Sequence, residues 1–257
     1  MLRVLPWAYL ALALAFIYLP VAVLVLFSFQ GGALPVPPFD GPSGQWYAEV
    51  LSDEDLVGAL WRSVAVAAGS AALAVALGFG AALGLARHVL PGALAVRALL
   101  IAPLTVSYLI VGLGLLILFQ RLGLGPSLWA VGVGHVVINL PLAFAILYAA
   151  MGAEQERAEQ AARDLGAGEA QVIVLVTLPM LAPALLAAFF LSVTLSWDEF
   201  IIAFLLSRFD VTLPVEIWSL LRSGLSPRLN AIGSVVFLVS VAAVLLVEAL
   251  LLRRRRA

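Results

Sequence analysis

The 257-residue chain is 64% hydrophobic and 11% charged, with a net charge of −1 and a mean hydropathy of +1.12. That composition marks an all-α polytopic membrane protein and gives nucleic acid nothing to bind. The chain has no cysteine and no lysine, which excludes disulfides, thiol nucleophiles, thiolate metal sites and the lysine-dependent phosphate loop of nucleotide-hydrolysing motors.

Six apolar runs follow one another, at residues 7–29, 60–86, 99–119, 128–151, 181–206 and 231–252. Each has the ~20 residues needed to cross a bilayer. The first exceeds a signal-peptide core and ends in Phe27-Ser28-Phe29 with no small-residue cleavage site, so it is expected to be retained. Residues 31–56 are polar and rich in Pro and Gly, an expected external loop with Trp46-Tyr47 at the interface. The second run carries Gly69, Gly78, Gly80 and Gly84, where a neighbouring helix can approach closely. The third holds Pro103, Gly112 and Gly114, so kinks are expected there. His135 and Asn139 lie four apart on the fourth, and an interhelical hydrogen bond is favoured over a cavity lining. The two histidines, His88 and His135, lie in different segments, so no His-rich metal site and no catalytic residues are expected. Glu248 is expected to snorkel or to pair with the terminal Arg253–Arg256 run. No soluble domain or internal repeat is recognisable, so residues 1–257 are read as one transmembrane domain.

Between the fourth and fifth runs, residues 154–179 are a polar interruption containing Glu154, Glu156, Arg157, Glu159, Arg163, Asp164 and Glu169. Ala158, Ala161, Ala162 and Leu165 recur at helical spacing and form a small-residue face on a short amphipathic helix. Glu159 and Arg163 stand in the favoured order for an i,i+4 ion pair, and Gly166 stops the helix. Such a face suits close docking by another protein, although an ordinary polar loop would share these residue types. With six spans, Arg3, Arg87, Arg97, Arg157, Arg163 and Arg253–Arg256 fall on one side. Arg62, Arg121, Arg208, Arg222 and Arg228 fall on the other. Nine arginines against five place both termini and the 154–179 segment in the cytosol.

Within the fifth run, Asp198 and Glu199 interrupt an apolar helix. An acid at the centre of a span costs ~2.5–3.5 kcal/mol, so two adjacent acids need water or a partner. Helical geometry would stack Asp198 below Thr194 and set Glu199 with Ser192 and Ser196, while Trp197 offers a π face to a cation. A cation pathway and a structural pair with arginine both remain open on these residues.

Gln160-Ala161-Ala162, then Gly166, Val176, Leu178 and Pro179, resembles the signature loop of ABC importer permeases. The family pattern is Glu-Ala-Ala, three residues, Gly, nine residues, Ile, one residue, Leu-Pro. The spacing is kept; Gln160 replaces the Glu, Val176 replaces the Ile, and Glu159 is a possible substitute for the missing charge. Trp197-Asp198-Glu199-Phe200, Leu213-Pro214, Ile217-Trp218 and Ser226-Pro227 resemble the spermidine/putrescine permeases, as do Trp46-Tyr47 and Arg62-Ser63. Permeases for iron, thiamine and other solutes share similar stretches.

The resemblance implies a bacterial inner-membrane subunit whose residues 154–179 form a coupling helix gripped by a cytosolic ABC ATPase dimer. Glu159, Gln160, Ala161, Ala162, Asp164, Gly166, Leu178 and Pro179 would serve ATPase coupling, and Trp197, Asp198 and Glu199 the substrate pathway. An extracytoplasmic binding protein and a second, distinct permease subunit are implied partners. ATP would be used by the ATPase, with no cofactor on this chain. A stand-alone channel or secondary transporter is the competing class.

Overall fold

The computed structural model describes residues 4–256 and, among these, the side chains of all but 4, 5, 243 and 246–256. Arg3, and the side chains of Glu248 and Arg253–Arg256, lie outside the described residues. Helix dominates throughout, and the described residues form no strand beyond one isolated bridge between Gln30 and Pro42. In chain order the helices are α1 (Val4–Ser28), α2 (Gln45–Ser52), α3 (Glu54–Arg87), α4 (Ala93–Ile101), α5 (Tyr108–Arg121) and α6 (Leu128–Ala150). They continue with α7 (Ala153–Asp164), α8 (Glu169–Val172), α9 (Leu178–Trp197), α10 (Ile201–Leu206), α11 (Leu213–Ser223) and α12 (Pro227–Arg256).

The chain divides into two compact units, one from residues 1–58 with 216–257 and the other from residues 59–215. In the first unit, α1 packs along α12, where Gly233 sits so close to Leu24 that a Cβ would lie 3.0 Å from its Cδ1. The expected external loop is more structured than its composition suggests. Trp46 and Tyr47 are on α2, and they hold the end of α1: the Trp46 indole donates to the Gln30 carbonyl at 2.6 Å, and Tyr47 shares a 2.6 Å hydrogen bond with Ser28. The Gln30 amide, itself buried, donates to the Pro38 carbonyl and accepts from the Asp40 N–H, both at 3.0 Å. Arg228 at the start of α12 pairs with Glu49 and Asp53, and Asp53 caps α3 by accepting from the Leu56 N–H at 2.9 Å.

In the second unit α6 is the most deeply packed of the long helices. One core lies where Val131 and Ile138 meet Ile202, Ala203 and Leu206 of α10, with Val66 and Phe119. The other joins Val75 and Ala82 of α3 to Ala143, Phe144 and Leu147 of α6 and Ala188 of α9. Gly78 makes that second core possible, because a Cβ there would lie 2.9 Å from the Phe144 backbone nitrogen.

Among the described residues, four helices are long and apolar enough to span a bilayer: Pro6–Ser28, Glu54–Arg87, Leu128–Ala150 and the continuous run Glu169–Trp197. The third expected run departs from a single kinked helix. α4 continues into a 3₁₀ turn, Ala102–Thr105, and the chain then bends by 106° at Val106-Ser107 into α5, so the run counts as a fifth span only if the two pieces are taken together. Pro103 removes a ladder donor in that turn, and Val106 and Ser107 are extended (ψ 137° at both). The fifth run also departs: its helix begins earlier and ends at Trp197, leaving α10 as a separate piece. The apolar part of the sixth run with described side chains, Pro227–Ala242, is shorter than a span.

Gly78 and Gly80 lie on the same helix, but a Cβ at Gly80 meets nothing within 4 Å. Gly78→Val should therefore lower the stability of the purified chain in mild detergent by about 1–3 kcal/mol more than Gly80→Val does. Thermal melts of the two variants check this, and equal melts would contradict it.

Candidate functional site

The polar interruption folds as the 12-residue helix α7 followed by a sharp stop. Gly166 has φ +91°, in the left-handed region that suits glycine. Around it the Ala167 N–H reaches the Ala162 carbonyl at 3.0 Å and the Gly166 N–H reaches Arg163 at 2.8 Å. These are the two bonds of a Schellman stop, and they satisfy the last carbonyls of α7. Arg163 then clamps the far side of the turn, donating to both oxygens of Glu169 at 2.7 and 2.9 Å. Its expected partner Glu159 lies farther away, at 3.9 Å. The expected i,i+4 pair is therefore marginal, because the turn brings a freer carboxylate to the same guanidinium.

Glu159 faces inward instead. Its side chain is 1% exposed and collects donors from three elements. Arg87, the last residue of α3, grips it bidentately at 2.7 and 3.1 Å. Gln155, one turn earlier on α7, donates at 3.1 Å, and the Thr177 hydroxyl donates at 2.8 Å. Burial pushes the Glu159 pKa up, but the hydrogen bonds from Arg87 and Thr177 and the Arg87 charge outweigh it. The carboxyl is thereby held below its ordinary value of 4.5. Thr177 lies in a wide turn, Ile173–Thr177, in which the Leu178 N–H bonds back to the Ile173 carbonyl. This is a π-bulge, and Pro179, which has no N–H, follows it. The fold thus joins the two halves of the sequence pattern through Glu159 and Thr177, immediately before Leu178-Pro179.

The opposite face of α7 is open. Gln160, Ala161, Asp164 and Gly166 are exposed, Ala162 is half-buried, and Leu165 is 90% exposed at the helix end. An inward Glu159 leaves position 160 without an acid on the outer face. Arg87 and Thr177 escaped the sequence reading, since no local pattern signals bonds between residues 72 and 18 positions apart; Gln155, four residues before Glu159 on the same helix, was within reach of helical spacing and was missed.

The other expected site lies at the far end of α9, 20 residues on, or about 30 Å at helical rise, so the fold does not bring the two sets together. Trp197 ends α9, Asp198 (φ −95°, ψ 0°) caps it, and the helix restarts at Ile201. The helix is not continuous here, yet the expected grouping is kept: Asp198 is exposed like Thr194, and Glu199 is buried with Ser192 and Ser196. Polar side chains beside the chain compete for backbone groups and stop the helix. Glu199 is buried, and its carboxylate accepts from the N–H groups of Ile201, Ile202 and Ala203 at 3.0, 2.9 and 3.2 Å. Asp198 is exposed and Trp197 half-buried.

Beneath Glu199 runs a buried polar chain. His135 Nδ1 lies 2.5 Å from the Ser196 hydroxyl, which lies 3.2 Å from Ser70, while His135 Nε2 faces Glu199 at 3.5 Å. The interhelical role expected for His135 is thus realised toward α9. The buried Asn139 amide makes no side-chain hydrogen bond among the described residues.

Residues 74–256 match the family described as "Binding-protein-dependent transport system inner membrane component". The chain belongs to that family. Among curated relatives, this permease is 29% identical over 240 residues to the spermidine/putrescine transport system permease protein PotC of Haemophilus influenzae, covering 93% of each chain. It is 32% identical over 241 residues to the putrescine transport system permease protein PotI of Escherichia coli K12, covering 90% of this chain and 85% of that one. The permease fold also matches the crystal structure of a bacterial ABC transporter for the import of the acidic polysaccharide alginate. The TM-score is 0.71 with 16% identity, covering 98% of this chain and 95% of that one. A bacterial alginate ABC transporter in complex with an alginate pentasaccharide-bound periplasmic protein gives a TM-score of 0.73 with 18% identity, covering 96% of this chain and 92% of that one. The chain is therefore an ABC importer permease close to the PotC group, an inner-membrane transport subunit working with a binding protein.

Because the folded pKa of Glu159 lies below its unfolded value, its ionised form adds stability that is fully present above pH 4.5 and lost as pH falls through the folded value. Glu159→Gln should lower stability at neutral pH and flatten the acid-side decline of the purified permease. Melts across an acid series check this, and an unchanged acid slope would contradict it.

Proposed function

We propose that this permease carries a polyamine such as putrescine or spermidine inward, driven by a cytosolic ABC ATPase dimer that docks on α7. A binding protein delivers the solute, and a second, distinct permease subunit completes the pathway. Six spans place both termini and α7 in the cytosol, with the broken α4–α5 pair as the third. Residues 154–179 are the coupling segment of a single transmembrane domain, and this chain hydrolyses no ATP and needs no cofactor of its own.

The observation that carries the docking proposal is the two-sidedness of α7. Its inner face is fixed by the buried Glu159, and its outer face presents Gln160, Ala161, Asp164 and Leu165 up to the stop at Gly166. A rigid helix with small residues outward suits a complementary cleft in another protein. ATP binding would shift that cleft, and α7 would pass the motion to the spans through Leu178-Pro179. The polyamine assignment is supported by the relatives above and by Asp198, exposed beside Trp197 at the break after α9. Glu199 already serves three backbone N–H groups, so within the expected Trp197, Asp198 and Glu199 set, Asp198 carries the free charge and Glu199 shapes the break.

Affinity purification from the native membrane should bring down an ATPase and a second permease. Gly166→Trp should insert normally yet lose the ATPase, because a large side chain there meets both an unfavourable φ and the docking face. Normal ATP-dependent uptake by that variant would contradict the proposal. For the cargo, Asp198→Asn should reduce putrescine or spermidine uptake by about tenfold, which corresponds to about 1.4 kcal/mol. Glu199→Gln should act mainly through stability. Uptake unaffected by Asp198→Asn would detach the acid from the pathway and leave the cargo open.

A further inference from the structure

The Glu159 cluster does more than fill the inside of α7. It connects three elements that share no sequence neighbourhood: the end of the 34-residue α3, the middle of α7, and the bulged turn that opens α9. A bidentate guanidinium–carboxylate pair has a fixed mutual orientation, unlike a lysine pair or a greasy contact. With its side chain 1% exposed, Glu159 has no water to replace either partner if one moves away. The surroundings of the pair are otherwise apolar or already committed. Arg163 is engaged by Glu169, and Val172, the residue just before the bulge, is fully buried. The π-bulge itself is a helix turn able to change register by one residue at modest cost, and Thr177, on that turn, holds the carboxylate.

We propose that Arg87, Glu159 and Thr177 form the strut through which displacement of α7 is passed to α3 and α9, making Arg87 and Thr177 positioning residues for coupled transport. This rests on the reading that α7 is the ATPase-docking element. Movement of α7 pulls the Arg87 end of α3 by the ion pair and the start of α9 by the Thr177 hydrogen bond. The two spans then respond together rather than one after the other. Gln160, exposed on the other face, is left to the partner and takes no part in the strut. Glu159 consequently does not replace the acid missing at position 160: it acts inside the permease.

The test uses the assembled importer in nanodiscs, with its ATPase, second permease and binding protein as purified with bound solute. Thr177→Val removes one hydroxyl at nearly constant volume, and Arg87→Lys keeps the charge but not the fork. Both should keep the ATPase at normal stoichiometry and leave the assembly folded at the assay temperature, with at most a small drop in melting temperature. Stimulation of ATP hydrolysis by the binding protein should fall at least about fivefold, the lower end of couplings between distant sites. Arg87→Glu combined with Glu159→Arg should recover part of the stimulation that Arg87→Glu alone abolishes. ATPase retention with full stimulation in both conservative variants would overturn the strut while leaving the docking reading intact. A loss of stimulation that only parallels loss of stability would also overturn it, reducing the cluster to a structural role. An unaltered permease that holds no ATPase would remove the docking reading, and the strut with it.

Discussion

A single buried carboxylate sets the geometry where α3, α7 and α9 of this permease meet. Glu159 takes two bonds from Arg87 and one each from Gln155 and Thr177. An ionised group so enclosed is tolerated only when its charge is paired and its lone pairs are occupied. That requirement fixes which face of α7 turns inward, and hence which face is left exposed. It also fixes where α3 must end and where the next span must begin. Losing the carboxylate would leave all three donors without their acceptor, and losing one donor would leave a buried carboxylate oxygen less well satisfied, so the four groups depend on one another.

The same demand explains the helix breaks. In a bilayer, an N–H or C=O freed from its ladder has to find a partner inside the protein. At the Trp197–Ile201 break the Glu199 carboxylate supplies it, taking three N–H groups of α10. At the α7 stop the Gly166 turn returns the N–H groups of Gly166 and Ala167 to the carbonyls of Arg163 and Ala162. Before Pro179 the register widens by one residue, so that Leu178 still finds the Ile173 carbonyl. The irregular points of the chain are therefore the places where polar side chains have structural work, and they bracket α9 at both ends.

Much of this was legible in the residues. Hydropathy located the apolar runs, the spacing from Ala161 to Pro179 identified the family, and Gly166 announced the end of α7. The breaks within runs three and five were less legible, because their apolar composition continues through the bend. Pro103 marked a disturbance but not its 106° size, which depends on the two extended residues after it. Helical spacing set Asp198 and Glu199 on different stripes, but only the restart of helix at Ile201 shows that the buried one caps backbone N–H groups. Charge patterning paired Glu159 with Arg163 because local partners are all that spacing can offer, whereas the true partner arrives from another helix.

The orientation of α7, Glu159 inward and Leu165 outward, is the central claim. The natural absence of cysteine allows a direct test. Leu165→Cys places a lone thiol on the exposed face, and Val172→Cys places one in a fully buried position close by. After treatment of native membranes with a short thiol-to-amine cross-linker, the account predicts an adduct between Leu165→Cys and the ATPase, and none from Val172→Cys. Equal labelling of the two, or an adduct from Val172→Cys alone, would contradict it.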